Sequence, residues 1–466
     1  MNLLKFFSVK NMVKENQKLG EIPSSKEFYS SFLQIAWPSA LEAVLVSLVG
    51  SIDTIMVGGL GETAITAVGI TNQPKFILLA AIFSLNIGIT AIVARRKGQG
   101  DRDGANNCLK QGILLCGIIS LAMALLGYIF AEEILVFAGA SKDYLQDAIA
   151  YFEIILVSIV FQALNLTINA AQRGVGNTKI AMYTNVISNL VNITFNYLLI
   201  NGIGIFPRLG VRGAAIATAM GAAVACFISF STLLKKDGFL TIRSKEKWGF
   251  KKDTLQLIGN ISGNAMIEQV FMRVGFFAYN IIVAKIGTTE YAVHLICMNI
   301  LNLSFSFGDG FGIAASSLVG QSLGEKRPDK SIIYGKVAQR VAFIISSILF
   351  LFYMFGRRFL VSLFSSDPVI INMGASILII VSFITHLQTS QVVISGCLRG
   401  AGDTKFVAIV SLISIGVFRP FLTWLLCYPL GLGLMGAWIS VLADQTIRLL
   451  FNFYRFSSGK WTTIII

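Results

Sequence analysis

Arg173-Gly174-Val175-Gly176-Asn177-Thr178-Lys179 returns as Arg399-Gly400-Ala401-Gly402-Asp403-Thr404-Lys405, 226 residues further along the chain. The same shift of 226 sets Glu42 on Glu268, Gly61 on Gly287, Val93 on Val319 and Gly98 on Gly324 without a gap. After a three-residue deletion the shift becomes 223, and Leu209-Gly210-Val211-Arg212-Gly213-Ala214 falls on Leu432-Gly433-Leu434-Met435-Gly436-Ala437. Apolar sequence repeats by chance, but not in one register from residue 42 to residue 179, so the chain is an internal duplication. The repeated heptapeptide superficially resembles a phosphate-binding loop. That loop needs GxxxxGK[ST] between a strand and a helix, and here the spacing is wrong. A tight turn between two helices, with Gly where φ is positive and Arg and Lys at lipid headgroups, accounts for it.

What the duplicated unit is made of follows from composition. Hydrophobic residues are 55% of the 466 residues and charged residues 13%, with a mean hydropathy of +0.73. Soluble domains are about a quarter charged, so this chain cannot tile a wetted surface and must face lipid. The net charge of +14 would suggest nucleic acid in a soluble protein, but the basic residues sit in short loops and form no groove. The first thirty residues are polar, with no apolar core before Ser31, so no cleavable signal peptide is expected. The six cysteines (Cys108, Cys116, Cys226, Cys297, Cys397, Cys427) lack CxxC spacing and are read as small core residues.

A helix needs about twenty apolar residues to cross the hydrocarbon core. Twelve such runs occur, at about 31–56, 69–94, 109–130, 148–171, 180–201, 213–234, 255–284, 295–319, 337–356, 370–396, 406–428 and 433–453. With the N-terminus cytoplasmic, the inside segments hold 28 Lys and Arg and the outside loops 6, with Lys75, Arg273, Arg419 and Arg448 inside spans. The positive-inside rule then puts both ends in the cytoplasm. The predicted fold is all-α integral membrane: twelve transmembrane helices in two six-helix bundles. Six is even, so a pseudo-two-fold axis along the membrane normal relates the halves. The predicted divisions are a cytoplasmic segment 1–30, a bundle 31–234, a linker 235–254, a second bundle 255–456 and a tail 457–466. Transporters on this plan hold substrate between their halves and expose it alternately.

Several motifs carry a resemblance to a known family. The first span reads Trp37-Pro38 … Ser51-Ile52-Asp53-Thr54 … Val57-Gly58-Gly59-Leu60-Gly61, and the link from the eighth span to the ninth reads Val319-Gly320-Gln321-Ser322-Leu323-Gly324. With the paired RGxG[N/D]TK turns, their order resembles the multidrug and toxic compound extrusion (MATE) transporters over nearly the whole chain. The resemblance implies export of cationic or amphipathic organic compounds in exchange for H⁺ or Na⁺, with no cofactor and no obligate protein partner. It also implies a monomeric, multi-pass protein of the cell membrane.

A charge at the centre of a transmembrane helix costs about 2.5–3.5 kcal/mol on insertion scales, so each is a functional candidate. Asp53 is the sharpest, lying between Ile52 and Ile55. It can be neutralised by a proton, or can coordinate Na⁺ if neutral oxygens lie near. Asn192 and Asn196 share a face of the fifth span four residues apart, with Asn189 on the same strip and Thr218 on the sixth. MATE proteins line their N-terminal cavity with a first-helix Asp, two polar residues at i and i+4 of the fifth helix and a sixth-helix Thr. Asp53, Asn192, Asn196 and Thr218 match that pattern. The alternative is interhelical hydrogen bonding with no ion. One branch of the family carries acids in the seventh and tenth helices, where this chain has Met272 and Gln388, so coupling centres on Asp53. Glu42, Glu268, Asp309 and Gln388 are further cavity candidates. Glu42 and Glu268, as repeat partners, divide between a structural and a functional role, and the glycines around Asp309 could open its helix. Arg273 needs a partner, for which Glu268 or Asp309 is available. His294 and His386 read as satisfied core residues.

Two other functions compete with this reading. A flippase of lipid-linked precursors would need a long cationic cavity, and few Arg and Lys lie within the spans. An enzyme would need a motif such as HExxH or GxSxG, and neither is found.

Overall fold

The computed structural model describes residues 7–235, 238–244 and 248–464. The first six and last two residues of the predicted terminal segments, and 236–237 and 245–247 of the predicted linker, lie outside that range. Every predicted span is helical. In order the helices are α1 (Ser25–Gly58), α2 (Glu62–Gly98), α3 (Arg102–Ile129), α4 (Leu145–Gly174), α5 (Thr178–Asn201) and α6 (Gly210–Thr232), then α7 (Lys252–Ala284), α8 (Thr288–Gly324), α9 (Pro328–Ser362), α10 (Pro368–Gly400), α11 (Thr404–Cys427) and α12 (Gly433–Ser457). A short helix, Ala131–Phe137, follows α3. Among the described residues eleven of these are both long and apolar enough to cross a membrane. The exception is α5, 24 residues long but carrying Asn185, Asn189, Asn192, Asn196 and several Ser and Thr. Its polarity lies on one side, where Asn192 and Asn196 are buried, while Tyr183, Ile187, Leu190 and Tyr197 stay exposed. The protein is a multi-pass membrane protein.

The duplication is visible in where helices stop. α2 and α8 begin and end 226 residues apart, as do α5 and α11, while α6 and α12 begin 223 apart. The neighbours repeat as well: α2 against α4, α3 against α4, α4 against α6 and α5 against α6 are matched by α8 against α10, α9 against α10, α10 against α12 and α11 against α12. The turns after α4 and α10 need glycine twice. Gly176 and Gly402 lie at φ 86° and 89°, a region that penalises a side chain. Gly174 lies over the Thr90 carbonyl, where a Cβ would come within 2.9 Å, and Gly400 lies as closely over that of Ser316, so these helices touch backbone to backbone.

The chain divides into two compact units, Leu41–Gly263 and Met1–Ala40 with Asn264–Ile466. Helix α1 starts in one and ends in the other. The polar N-terminal segment is in part packed: Val9, Met12 and Val13 are buried in a cluster with Phe28, Val337 and Trp461. Lys336 Nζ donates to the Met12 carbonyl at 2.5 Å, and the Leu19 N–H donates to Asp329 Oδ2 at 3.2 Å. The segment after α6 is docked likewise within the first unit, with Thr241 N–H donating to Asn106 Oδ1 at 2.7 Å and Arg102 donating to the Gly238 carbonyl at 2.6 Å. All six cysteines are free and buried.

The structure corrects the expectation for α8. The glycines flanking Asp309 do not open α8, which runs unbroken from Thr288 to Gly324. They serve close packing instead: a Cβ on Gly312 would meet the Val392 carbonyl at 3.2 Å. The irregular turn lies in α11, where Leu412–Phe418 widens into a π-helix.

Candidate functional site

Within the unit Leu41–Gly263, Asp53 faces α5. Asn196 Nδ2 donates to Asp53 Oδ1 at 2.7 Å. The Asn192 amide suits its surroundings when its nitrogen faces the carboxylate, because two oxygens face to face would repel. It then donates to Asp53 Oδ1 at 2.7 Å and Oδ2 at 3.2 Å, and its own oxygen lies 3.1 Å from Thr218 Oγ1. The Thr218 hydroxyl is also 3.0 Å from the Ala214 carbonyl and can give its single proton to either. The structure thus brings Asp53, Asn192, Asn196 and Thr218 together. Asn192 is 6% exposed and Asn196 1%, so the cluster is dry on the α5 side.

Two features of this cluster are chemical openings. Asn196 Oδ1 is buried and has no hydrogen-bond partner among the described residues, although leaving an acceptor unmet costs about 1–3 kcal/mol. Lys75, one residue after Pro74 on α2, interacts electrostatically with Asp53, yet the described residues hold no ion pair between them. Tyr151 on α4 completes the surroundings, in contact with Thr218 and within the field of Asp53. In the sequence Lys75 stands out only as a charge within a span, with no role attached, and Tyr151 does not stand out at all. A lysine in a proline-bearing helix is the available signal for the first, and nothing marks the second.

Glu42 and Glu268 are held alike. Arg173 and Asn185 (the latter at 2.5 Å) both donate to Glu42 Oε1, while Arg399 at 2.6 Å and Ser411 at 3.1 Å donate to Glu268 Oε1. Each glutamate therefore clamps the first helix of its half to the Arg of the repeated turn and to the helix after it. The ion pair of Glu268 is with Arg399, where the sequence offered Arg273. His294 lies among Tyr279, Tyr291 and Trp438 rings, and His386 Nδ1 is 2.8 Å from Ser346 Oγ.

Asp309 and Gln388 line a cavity of about 360 Å³ in the second unit, together with Arg273, Arg399, Arg419 and Arg448. This differs from the expectation of a chain poor in cavity arginines. The four residues stand on α7, α10, α11 and α12, and only folding shows that they converge. Arg419 pairs with the buried Asp444, which also accepts from Ser414 in the π-helical turn.

Comparison with known proteins agrees with this architecture. The chain matches the MatE family over residues 38–198 and 265–425, one block in each half. It is 28% identical over 452 residues to a probable multidrug resistance protein NorM of Thermotoga maritima, covering 95% of this chain and 94% of that one. It is 28% identical over 448 residues to the uncharacterized transporter YisQ of Bacillus subtilis, covering 94% and 96%. The fold superposes with a TM-score of 0.85, at 23% identity, on a multidrug resistance MATE family transporter in an outward-facing conformation, covering 93% of this chain and 97% of that one.

Proposed function

The chain belongs to the MatE family, and from that premise we propose that it is a secondary antiporter exporting cationic or amphipathic organic compounds in exchange for H⁺ or Na⁺ by alternating access. Full-length relatives named as multidrug resistance proteins support the substrate class. The observation that carries the coupling is the Asp53 carboxylate, gripped by two amides while Asn196 Oδ1 beside it has no partner.

The chemistry follows from the donor set. In the arrangement described, both amide nitrogens solvate a charged carboxylate. An incoming cation reverses the roles of the two amides. Asn192 and Asn196 turn their oxygens inward and, with Asp53 and the Thr218 hydroxyl, offer the hard oxygen ligands that Na⁺ takes. A proton instead neutralises Asp53 and gives it an O–H to donate to Asn196 Oδ1. Either event changes which groups attract and which repel along α1 and α5, and so biases one packing of the helices over another. To move a two-state equilibrium from 1:99 to 99:1, the ion must discriminate by about 5.5 kcal/mol, a demand within reach of neutralising a buried carboxylate. Lys75 is the internal competitor, since it attracts the carboxylate whenever the cation is away.

Purified protein in vesicles, loaded with a fluorescent organic cation and given a Na⁺ or a pH gradient separately, tests the proposal. Wild type should export dye under one gradient or both. Asp53→Asn should fold, keep its thermal midpoint and lose gradient-driven export by at least about a hundredfold, since the coupling carboxylate is gone. Undiminished export by that variant removes Asp53 from the mechanism.

A further inference from the structure

The cavity in the second unit has the wrong polarity for the exported cation. Its lining carries four guanidiniums, Arg273, Arg399, Arg419 and Arg448, against Asp309. Glu268 and Asp444 stand behind them as ion-pair partners of Arg399 and Arg419, which leaves four positive charges facing three negative ones. Arg448 is the informative member. It is 7% exposed, forms no ion pair among the described residues, and its Nε is buried without a hydrogen-bond partner. A buried guanidinium in a membrane-spanning helix is retained where an anion or a wet cavity meets it, and the planar fork of Arg suits an oxyanion.

We propose that this cavity binds a small organic anion, an apolar body bearing a carboxylate or phosphate ester, with the oxyanion seated on Arg448. The apolar body fits Phe276 and Tyr279, which also line the cavity. The Gln388 and Gln445 Oε1 atoms, buried with no partner, accept from hydroxyl groups on the ligand. A volume of about 360 Å³ is at the small end of ligand pockets and holds a bicyclic molecule. The site shares no residue with the Asp53 cluster and does not rest on the identity of the coupling ion.

Calorimetric titration of the full chain in detergent, with 2-naphthoate, neutral 2-naphthylmethanol and 2-naphthylmethylammonium as probes, tests the assignment. The naphthoate should bind at least tenfold more tightly than either analogue. Arg448→Gln should weaken the naphthoate at least tenfold and the alcohol less than twofold. Equal affinity for the three probes, preference for the ammonium, or a naphthoate affinity untouched by Arg448→Gln overturns the proposal. Should Arg448→Gln fail to fold, Arg448→Lys takes its place, keeping the charge and losing the fork, with a smaller loss expected for the anion alone; the wild-type ranking of the three probes decides in any case. The same oxyanion could be offered by a lipid headgroup. Displacement of naphthoate by phosphatidate in mixed micelles then assigns the site to a lipid, and failure to displace assigns it to a soluble anion; both outcomes uphold an anion site.

Discussion

Lys75 makes the sharpest residue-scale demand on the proposed coupling. A lysine and an aspartate that feel each other without forming an ion pair are poised for exchange, because an arriving cation has to compete with the ammonium. Lys75→Met removes the competitor. Two unit charges 4 Å apart attract by about 1 kcal/mol in water and about 4 kcal/mol at the effective dielectric of a protein surface, and a loss of about 1.4 kcal/mol is tenfold. The gradient concentration giving half-maximal export should therefore fall about tenfold in Lys75→Met, read from initial rates against Na⁺ or pH in the vesicle assay. A variant that needs more of the cation, or the same amount, would mean that Lys75 helps to hold the site. Asp53 and the i, i+4 pair Asn192 and Asn196 could be read from the sequence because helical spacing fixes what shares a face. Lys75 and Tyr151 could not, because which residue of α2 or α4 meets α1 depends on helix packing that no local spacing encodes.

At the scale of elements, the repeated turns are built as clamps. Glu268 ties α7 to Arg399 at the end of α10 and to Ser411 on α11, and Glu42 repeats this with Arg173 and Asn185. Both glutamates keep their second carboxylate oxygen unmet, so each depends heavily on its arginine. Breaking one partner of a buried pair typically costs about 3–5 kcal/mol, whereas removing both partners costs much less. Arg399→Gln should lower the thermal midpoint clearly, and Glu268→Gln/Arg399→Gln should recover part of the loss, measured by thermal unfolding in detergent. If the single variant is as stable as wild type, Glu268 is not fastened in this way and returns as a candidate for binding. Helix order and ends were legible at this scale, since Gly176 and Gly402 sit at positive φ in turns already conspicuous as repeats. The π-helical turn at Leu412–Phe418 was not. It lies just before Pro420, whose missing N–H and ring disturb the helix one turn back, and Ser414 and Arg419 around it reach Asp444; the glycines of α8 that looked like a break are contact points.

For the whole molecule, the decisive quantity is the distribution of basic charge. The predicted inside segments hold 28 Lys and Arg against 6 outside, and the structure gives several of the 28 work to do at one end of each unit. Arg102 and Lys110 hold the segment after α6 through its backbone carbonyls. Arg327, outside any helix, pairs with Asp329, and that hydrogen-bonded carboxylate raises its already high pKa. It also donates to the Glu21 carbonyl at 3.0 Å. Translocating segments so rich in Lys and Arg is what the positive-inside bias disfavours. One orientation is therefore expected, with both termini cytoplasmic. The native cysteines are all buried and give a quiet background for labelling. Ser141→Cys, exposed between α3 and α4, should react with a membrane-impermeant maleimide in intact cells. Ser458→Cys, exposed just past α12, should react only in inverted vesicles. Labelling of both positions from the same side would break the odd count of helices between them, nine from α4 to α12, and with it the equivalence of the two halves. Labelling of each from the opposite side would keep the count and invert the molecule, and then the ion gradient that drives export would have to enter Asp53 from the other face.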